Sequence, residues 1–399
     1  MKVAGMRIDL PSNWQWSKCN DVMDVRDGTH DTPKYIQSGY PLITSKNLKS
    51  DGIDFSDVSY ISEEDHRDIS KRSKVDKNDI LFAMIGTIGN PVIVETDKEF
   101  SVKNVALFKF AKSYINPVFF KYLLGTPIIQ RQLTNETRGG TQKFVSLTVL
   151  RNMQIPYPPL EEQKRIAAIL DKADRVRRKR QEAIRLTEEL GRSIFLDMFG
   201  DPVTNSKGLE TKPLGDIVTF LGGGTPARNN DKYFQGEICW ASSKDMGNEI
   251  LVDTQEHITQ EAIDNSSTKL VPSGTLLVVV KSKILMKRLP VSRTAVDTCF
   301  NQDIKEIIPK DLCLTRYLQV HLKLGQETLL RQARGVNTEG LTLEHLMKYP
   351  LLMPKQENII KFTVTSKELE KMLLINRKSF QESENLFNSL LQRAFRGEL

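Results

Sequence analysis

Two stretches of the chain place apolar and small side chains at spacings that alternate between four and three. The first runs Ile169, Ala173, Val176, Arg180, Ala183, Thr187, Leu190 and Ile194. The second runs Phe362, Ser366, Leu369, Leu373, Asn376, Phe380, Ser383, Phe387, Leu390 and Ala394. A heptad seam of this kind predicts two long helices that pack on each other, the other possibility being that each lies on its own domain as an amphipathic helix. Each stretch holds about 40 residues and at ~1.5 Å per residue would span roughly 60 Å. Antiparallel pairing would bring Arg180 and Asn376 together near the midpoint, where a polar pair fixes register at some loss of stability.

A different pattern precedes each seam. "VDKNDILFAMIG" (75–86) and "LVPSGTLLVVVK" (270–281) are both polar turns leading into a continuous apolar run of β type. These two segments belong to a wider self-match at an offset near 196 residues. "RGGTQKFVSLTVLRNMQIPYPPLEEQ" from Arg138 lies over "RGVNTEGLTLEHLMKYPLLMPKQEN" from Arg334, with Pro158 on Pro354 and Glu161 on Glu357. "LITSKNL" (42–48) matches "WASSKDM" (240–246), and "YISEE" (60–64) matches "HITQE" (257–261). A period near 200 residues means duplicated domains and pseudo-two-fold symmetry within one chain, and such symmetry suits a ligand with two half-sites, duplex DNA above all.

The boundary between strand-like and helical pattern is proline-rich in both halves. In "IPYPPLEEQKRIAAIL" (155–170), Pro156, Pro158 and Pro159 lock φ and hold the preceding residues extended, so the chain enters its helix at a fixed angle. The expected order is domain (1–154), elbow and helix (155–201), domain (202–350), elbow and helix (351–399).

Composition narrows the class. The chain has 399 residues, room for two or three domains, with hydrophobic and charged fractions of 39% and 27% that are those of a soluble globular protein. No apolar run is long enough to span a bilayer and no signal-peptide core opens the sequence, so a cytoplasmic protein without membrane contact is expected. The net charge is +7 and the pI near 9.0, which suggests a polyanionic partner. The densest basic run, "KADRVRRKRQEAIR" (172–185), lies on the first predicted helix. Cys19, Cys239, Cys299 and Cys313 are far apart, with no C-x-x-C pair and no histidine at ligand spacing; packed, reduced thiols are expected rather than a metal site or disulfide frame.

No catalytic constellation is legible. "FLGGG" (220–224) fits the F-x-G-x-G pattern of adenosylmethionine-binding loops but lacks the strand-loop-helix setting and the acidic ribose ligand, which favours a Gly-rich turn. "IPYPPL" shares only its prolines with the N-P-P-Y loop of adenine methyltransferases. A phosphate-binding loop and the H-E-x-x-H pattern are both missing.

The sequence resembles the specificity (S) subunits of type I DNA restriction-modification systems over nearly its whole length. The resemblance rests on "LPSNWQWSK", "GTIGN" (86–90), "GGTQKFVSL" (139–147), "IPYPPLEEQKRIAAIL", "GGGTP", "FNQDIK" (300–305) and "LLQRAFRGEL". It implies an α+β fold of two duplicated globular target-recognition domains, separated by two long antiparallel helices in a coiled coil and related by a pseudo-two-fold axis. It further implies a non-catalytic DNA-recognition subunit in which each domain takes one half of a bipartite site in double-stranded DNA. The helices would set the spacer and dock two methyltransferase (M) subunits, with restriction (R) subunits in the full complex. No cofactor is expected in this chain; adenosylmethionine, ATP and magnesium would belong to the partners. The second half departs from the family pattern, since "LLMPKQENIIKF" lacks the double proline, so its elbow is expected to be looser.

Candidate DNA-binding residues come from the matched loops: Lys46 and Lys244, Arg138 and Arg334, and Thr141, Gln142 and Lys143. To these the run "KSKILMKRLPVSR" adds Lys281, Lys283, Lys287, Arg288 and Arg293, which read equally as a solvated hairpin. Arg177, Arg178 and Arg180 on the basic helix are candidates for partner binding, against either spacer phosphates or an acidic groove on an M subunit. Asn104 and Asn301 are expected to form turns. The loops differ most between the halves, which predicts an asymmetric site. The competing functions are a self-contained DNA adenine methyltransferase and a structural protein-binding adaptor.

Overall fold

In the computed structural model, which describes residues 2–3, 6–7, 10–86, 88–135, 144–334 and 340–399, the apolar run Ile80–Ala83 is an inner strand of an antiparallel sheet. The order is Gly89–Ile93, Ile80–Ala83, Val105–Lys109, Asp24–Asp27. Its residues do not alternate in polarity because both faces are covered: Ile80 and Phe82 look into one core with Phe119 and Phe120, Leu81 and Ala83 into another with Ile43 and Val102. The second run, Leu276–Val279, repeats this in a sheet ordered Val218–Gly222, Ile304–Pro309, Leu276–Val279, Val291–Thr294, Ile250–Leu251. The duplication visible in the sequence is thus a duplication of topology, with one added edge strand in the second copy.

Each copy also carries a three-stranded sheet of the same mixed pairing. Tyr40–Ile43 runs parallel to Ser101–Val102 and antiparallel to Ser59–Ile61; Ile238–Ala241 runs parallel to Thr298–Phe300 and antiparallel to Glu256–Ile258. The helix that follows is capped alike in both. Ser62 Oγ accepts from the Asp65 amide and Thr259 Oγ1 from the Ala262 amide, satisfying a donor the helix itself cannot pair.

The chain folds as two compact units, one of Met1–Gln181 with Lys378–Leu399 and one of Glu182–Arg377. Each long helix, Leu160–Phe199 and Gln356–Ala394, therefore contributes one half to each unit. In the first unit Phe387, Ala394 and Phe395 enter the core beside Trp14 and Phe119. In the second, Phe195 and Phe199 of the first helix meet Phe362 and Tyr317.

Within each unit the helix halves run antiparallel. Arg177 pairs with Glu384 at 3.1 Å and Arg180 donates to the Ser379 carbonyl in the first; Glu188 pairs with Arg377 at 2.8 Å and Thr187 meets Asn376 at 3.5 Å in the second. Arg180 and Asn376 each find one of these partners within their own unit. Every seam position of the second helix is buried or half-buried. On the first helix six of the eight seam positions are likewise buried or half-buried. Val176 and Leu190 are exposed, and the next residues, Arg177 and Gly191, take the contacts in their place.

Both elbows are β-strand to helix joins. Gln154–Tyr157 pairs antiparallel with Gln15–Lys18, placing Pro156 opposite Trp16, and the helix starts three residues after Tyr157. Buried Gln163 locks the join by accepting from the Asn116 amide at 2.8 Å and donating to the Pro158 carbonyl at 2.9 Å. The second elbow, Pro350–Leu352 paired with Thr211–Pro213, lacks the double proline and is held instead by a buried histidine. His321 Nε2 accepts from the Leu352 amide at 3.2 Å, its Nδ1 lies 3.1 Å from Tyr349 Oη, and Tyr317 Oη donates to the Leu352 carbonyl at 2.7 Å. A polar cluster thus does for this elbow what rigid φ angles do for the first. Among the described residues no helix is long and apolar enough to cross a membrane, and the four cysteines are free thiols.

Candidate nucleic-acid interface

The matched loops lie at the C-terminal end of the central strand in each three-stranded sheet. After Ile43, the Thr44 amide and hydroxyl both donate to Asn47 Oδ1 at 3.0 Å. After Ala241, the Ser242 amide and hydroxyl donate to Asp245 Oδ2 at 2.9 and 2.8 Å. The same side-chain-to-backbone turn therefore presents the residue before the acceptor, Lys46 in one unit and Lys244 in the other. Both lysines are exposed. Lys46 reaches Asp57 at 3.2 Å, an exposed pair of little strength that a phosphate could displace.

The second pair of matched loops is joined by backbone bridges. In the first unit Ile85 bridges Phe144 and the Val145 amide donates to the Met84 carbonyl; in the second Lys281 bridges Gly340 and the Leu341 amide donates to the Val280 carbonyl. The loop after the inner strand is thereby tied to the segment that follows Arg138 and Arg334. Arg138, Thr141, Gln142 and Lys143 lie outside the described residues, and Arg334 ends the helix Gln326–Arg334 with its side chain also outside them.

The basic run of the second unit is a short 3-10 turn, Lys283–Met286, pinned by buried Leu285 and Leu289. Burying those two leucines turns Lys281, Lys283, Lys287 and Arg288 outward; Arg288 donates to the Gly247 carbonyl at 3.1 Å. Arg293 is placed differently. It lies on the strand Val291–Thr294, largely buried, and pairs with Glu370 of the second long helix. Arg316 completes the network by reaching Glu370 and Glu249, and Lys323 closes on Glu249. The corresponding loop of the first unit is built on backbone geometry, with Gly86, Gly89 and Asn90 at φ of 78°, 121° and 46°, where side chains are disfavoured. One unit offers cations at this place, and the other a glycine-rich sequence that carries none.

Of the basic helix face, Arg177 contacts Asp174 and Glu384 and lies 4.9 Å over the Phe387 ring. Arg178 pairs with Asp174 at 3.1 Å and Arg180 caps the Ser379 carbonyl. Arg177 and Arg180 thus join the two helices within the first unit, while Arg178 pairs along its own helix. Burial and then the carboxylates of Asp174 and Glu384 act on Arg177, the net effect raising its pKa.

The glycines of "FLGGG" serve packing. A Cβ on Gly223 would lie 2.1 Å from the Phe300 carbonyl oxygen, and Gly224 accepts from buried Trp240 Nε1 at 3.1 Å. Asn104 adopts φ of 55° and Asn301 accepts from the Asp303 amide at 3.0 Å, so both form turns. Lys103 donates to Thr32 in the first unit, and in the second Thr225 donates to Gln302. The two threonines belong to repeated Thr-Pro pairs, Thr32-Pro33 and Thr225-Pro226.

Comparison with known proteins agrees with this duplicated plan. The type I restriction modification DNA specificity domain matches residues 11–187 and again 206–373. The specificity subunit of the Escherichia coli type I restriction enzyme EcoR124I/EcoR124II is 30% identical over 283 residues, 66% of this chain and 67% of that protein. The MjaIX specificity subunit of Methanocaldococcus jannaschii is 22% identical across 98% of this chain and 94% of its own. In fold, the S subunit of a type I restriction-modification system from M. genitalium covers 99% of both chains with a TM-score of 0.63 at 14% identity. With two specificity domains spanning most of its length, the chain belongs to the family of type I restriction-modification specificity subunits.

Proposed function

We propose that each unit of this chain recognises one half of a bipartite, asymmetric site in double-stranded DNA. The observation that carries this reading is the pair of identical turns that present Lys46 and Lys244 at equivalent points of the two units. Duplicated geometry with exposed cations suits the repeating phosphates of a duplex. Sequence choice would come from the loops that differ: Lys281, Lys283, Lys287 and Arg288 in one unit, the glycine-rich "GTIGN" loop in the other. Arg138, Thr141, Gln142, Lys143 and Arg334 join the interface on sequence grounds. The elbows and paired helices would fix the spacer between the half-sites, each elbow by its own device.

In this reading the chain is a non-catalytic cytoplasmic subunit. Two M subunits bring adenosylmethionine and methylate adenine; R subunits bring ATP, magnesium and cleavage. Support for protein docking on the helices comes from apolar side chains left exposed along them. Ile360, Val364, Leu374 and Ile375 stand on one side of the second helix, and Leu186 and Leu190 are exposed on the first; such stripes are partner surfaces more often than solvent faces.

The test is DNA retention by the assembled complex. Purified chain with M subunits should bind a duplex carrying the cognate site, and combined Lys46→Ala and Lys244→Ala should weaken binding to all sequences alike. Binding that depends on one lysine alone would contradict the two-reader scheme.

A further inference from the structure

The second unit brings together a cysteine, an aspartate and a histidine that lie 14 and 18 positions along the chain from Cys239. Antiparallel pairing of Ile238–Ala241 with Glu256–Ile258 sets Cys239 directly opposite His257. Residues so placed have Cβ atoms about 5 Å apart on one face of the sheet. Asp253, at the start of the returning segment, completes the group: its Oδ1 lies 3.6 Å from Cys239 Sγ and 2.8 Å from His257 Nε2. One ligand atom from each residue falls within 4.8 Å of the others.

We propose that Cys239, Asp253 and His257 form a zinc site that fastens the segment 253–257 to the strand leading to Lys244. Thiolate, imidazole and carboxylate together are a donor set that suits Zn²⁺, with bonds of about 2.3, 2.0 and 2.1 Å and a fourth position for water. Tetrahedral bonds of those lengths separate ligand atoms by about 3.3 to 3.6 Å. The sulfur-to-oxygen distance already fits, and the closer His257–Asp253 contact opens by a small rotation of two side chains that are not fully buried.

A nucleophilic role fits less well. His257 is hydrogen-bonded through Nε2 to Asp253 rather than to the sulfur, and the thiol donates to the same carboxylate at 3.6 Å, so the imidazole is not paired with the thiol as a base. Burial first, and the Asp253 carboxylate with it, raise the Cys239 pKa, which keeps the thiol protonated until a cation takes its place. Binding therefore releases the Cys239 proton to solvent, while His257 ligates in its neutral form with its remaining proton on Nδ1 and Asp253 as the carboxylate.

The surroundings indicate what such an ion would do. The Gln255 amide donates to Asp245 Oδ1 at 2.8 Å and the Trp240 amide donates to Thr254 Oγ1 at 3.1 Å. The clamped segment thus touches the turn that carries Lys244. In the first unit the equivalent pair is Pro41 opposite Tyr60, which offers no such donor set. Among the described residues this donor set occurs in the second unit. Its effect on Lys244 rests on the DNA reading proposed above; the binding itself does not.

Untagged full-length chain is dialysed against Zn²⁺ and its metal content measured, without DNA, so that the outcome is separable from the DNA reading. One equivalent per chain is expected, falling at least tenfold in affinity for Cys239→Ser and for His257→Gln, with Cys313→Ser unchanged. Co²⁺ bound to the unaltered chain should show a thiolate-to-metal charge-transfer band, a readout that needs no variant to fold. Absence of that band, less than stoichiometric zinc, or full affinity in Cys239→Ser would each overturn the proposal.

Discussion

His321 offers the sharpest quantitative prediction. The side chain is 0% exposed and sits in the second elbow among Phe195, Tyr317 and Tyr349. Because the Leu352 amide donates to Nε2, the ring proton belongs on Nδ1 and is donated to Tyr349 Oη. Burial holds its pKa down at about 3, against an ordinary 6.5. The native state therefore refuses a proton that the unfolded chain accepts below pH 6.5, and stability falls with pH from there toward 3. Between pH 8 and pH 5 this group alone removes about 2 kcal/mol, since each unit of pH in that window is worth ~1.4 kcal/mol. For a unit of some 200 residues that is roughly 4 to 8 °C in Tm. Thermal unfolding of the wild type and of His321→Gln, followed by circular dichroism from pH 5 to 8, checks the value. The variant should be less stable at pH 8, having lost ring packing and one or both hydrogen bonds, yet should lose that much less Tm on acidification. Parallel Tm profiles for the two proteins would refute the assignment of a buried neutral histidine.

The remaining predictions concern charge and the elbows. Neutralising Lys46 or Lys244 singly should lower the slope of log affinity against log salt by about one unit for the DNA-bound complex; an unchanged slope in both variants removes them from the interface. Burial opposes ionisation of Glu249, but Arg316 and Lys323 outweigh it and hold its pKa at about 2. Its contribution is thus complete above pH 4.5 and lost as pH falls toward 2, and Glu249→Gln should destabilise the chain at pH 7 by about 2 kcal/mol, the linkage value of ~3 reduced because a third of the side chain meets solvent. Equal denaturant midpoints for variant and wild type at pH 7 would argue against that network. Replacing Pro158 and Pro159 together by glycine frees φ at the first elbow, and methylated sites in cells carrying that variant should tolerate more than one spacer length; a single spacer with full activity would show that the prolines do not set it.

Patterns local to a few residues were legible in the sequence, and pairings across distance were not. The inner strands declared themselves as continuous apolar runs because both faces of each sheet are covered. All seam positions of the second helix carried through, and on the first helix all but Val176 and Leu190, whose neighbours Arg177 and Gly191 take the contacts instead. Arg177, Arg180 and Arg293 looked like free cations because a sequence does not display Glu384, the Ser379 carbonyl or Glu370 across from them. The repeat aligned the loops of Lys46 and Lys244, and the matching Asn47 and Asp245 turns explain why the alignment works. Cys239 and His257 were invisible as a pair, being neighbours only through strand pairing. The second elbow looked loose without its double proline, yet His321, Tyr317 and Tyr349 come from segments that no local pattern links to Leu352.

On the proposed reading, two readers within one chain recognise two unlike half-sites. Mapping methylated adenines in a host that expresses this chain with its M subunits, and in one that also carries the four-fold change Lys281→Ala, Lys283→Ala, Lys287→Ala and Arg288→Ala, tests it most directly. The account predicts a split, asymmetric motif in the first host and, in the second, relaxed or lost sequence preference in one half only. A palindromic or unbroken motif, or a loss of preference spread evenly over both halves, would contradict it.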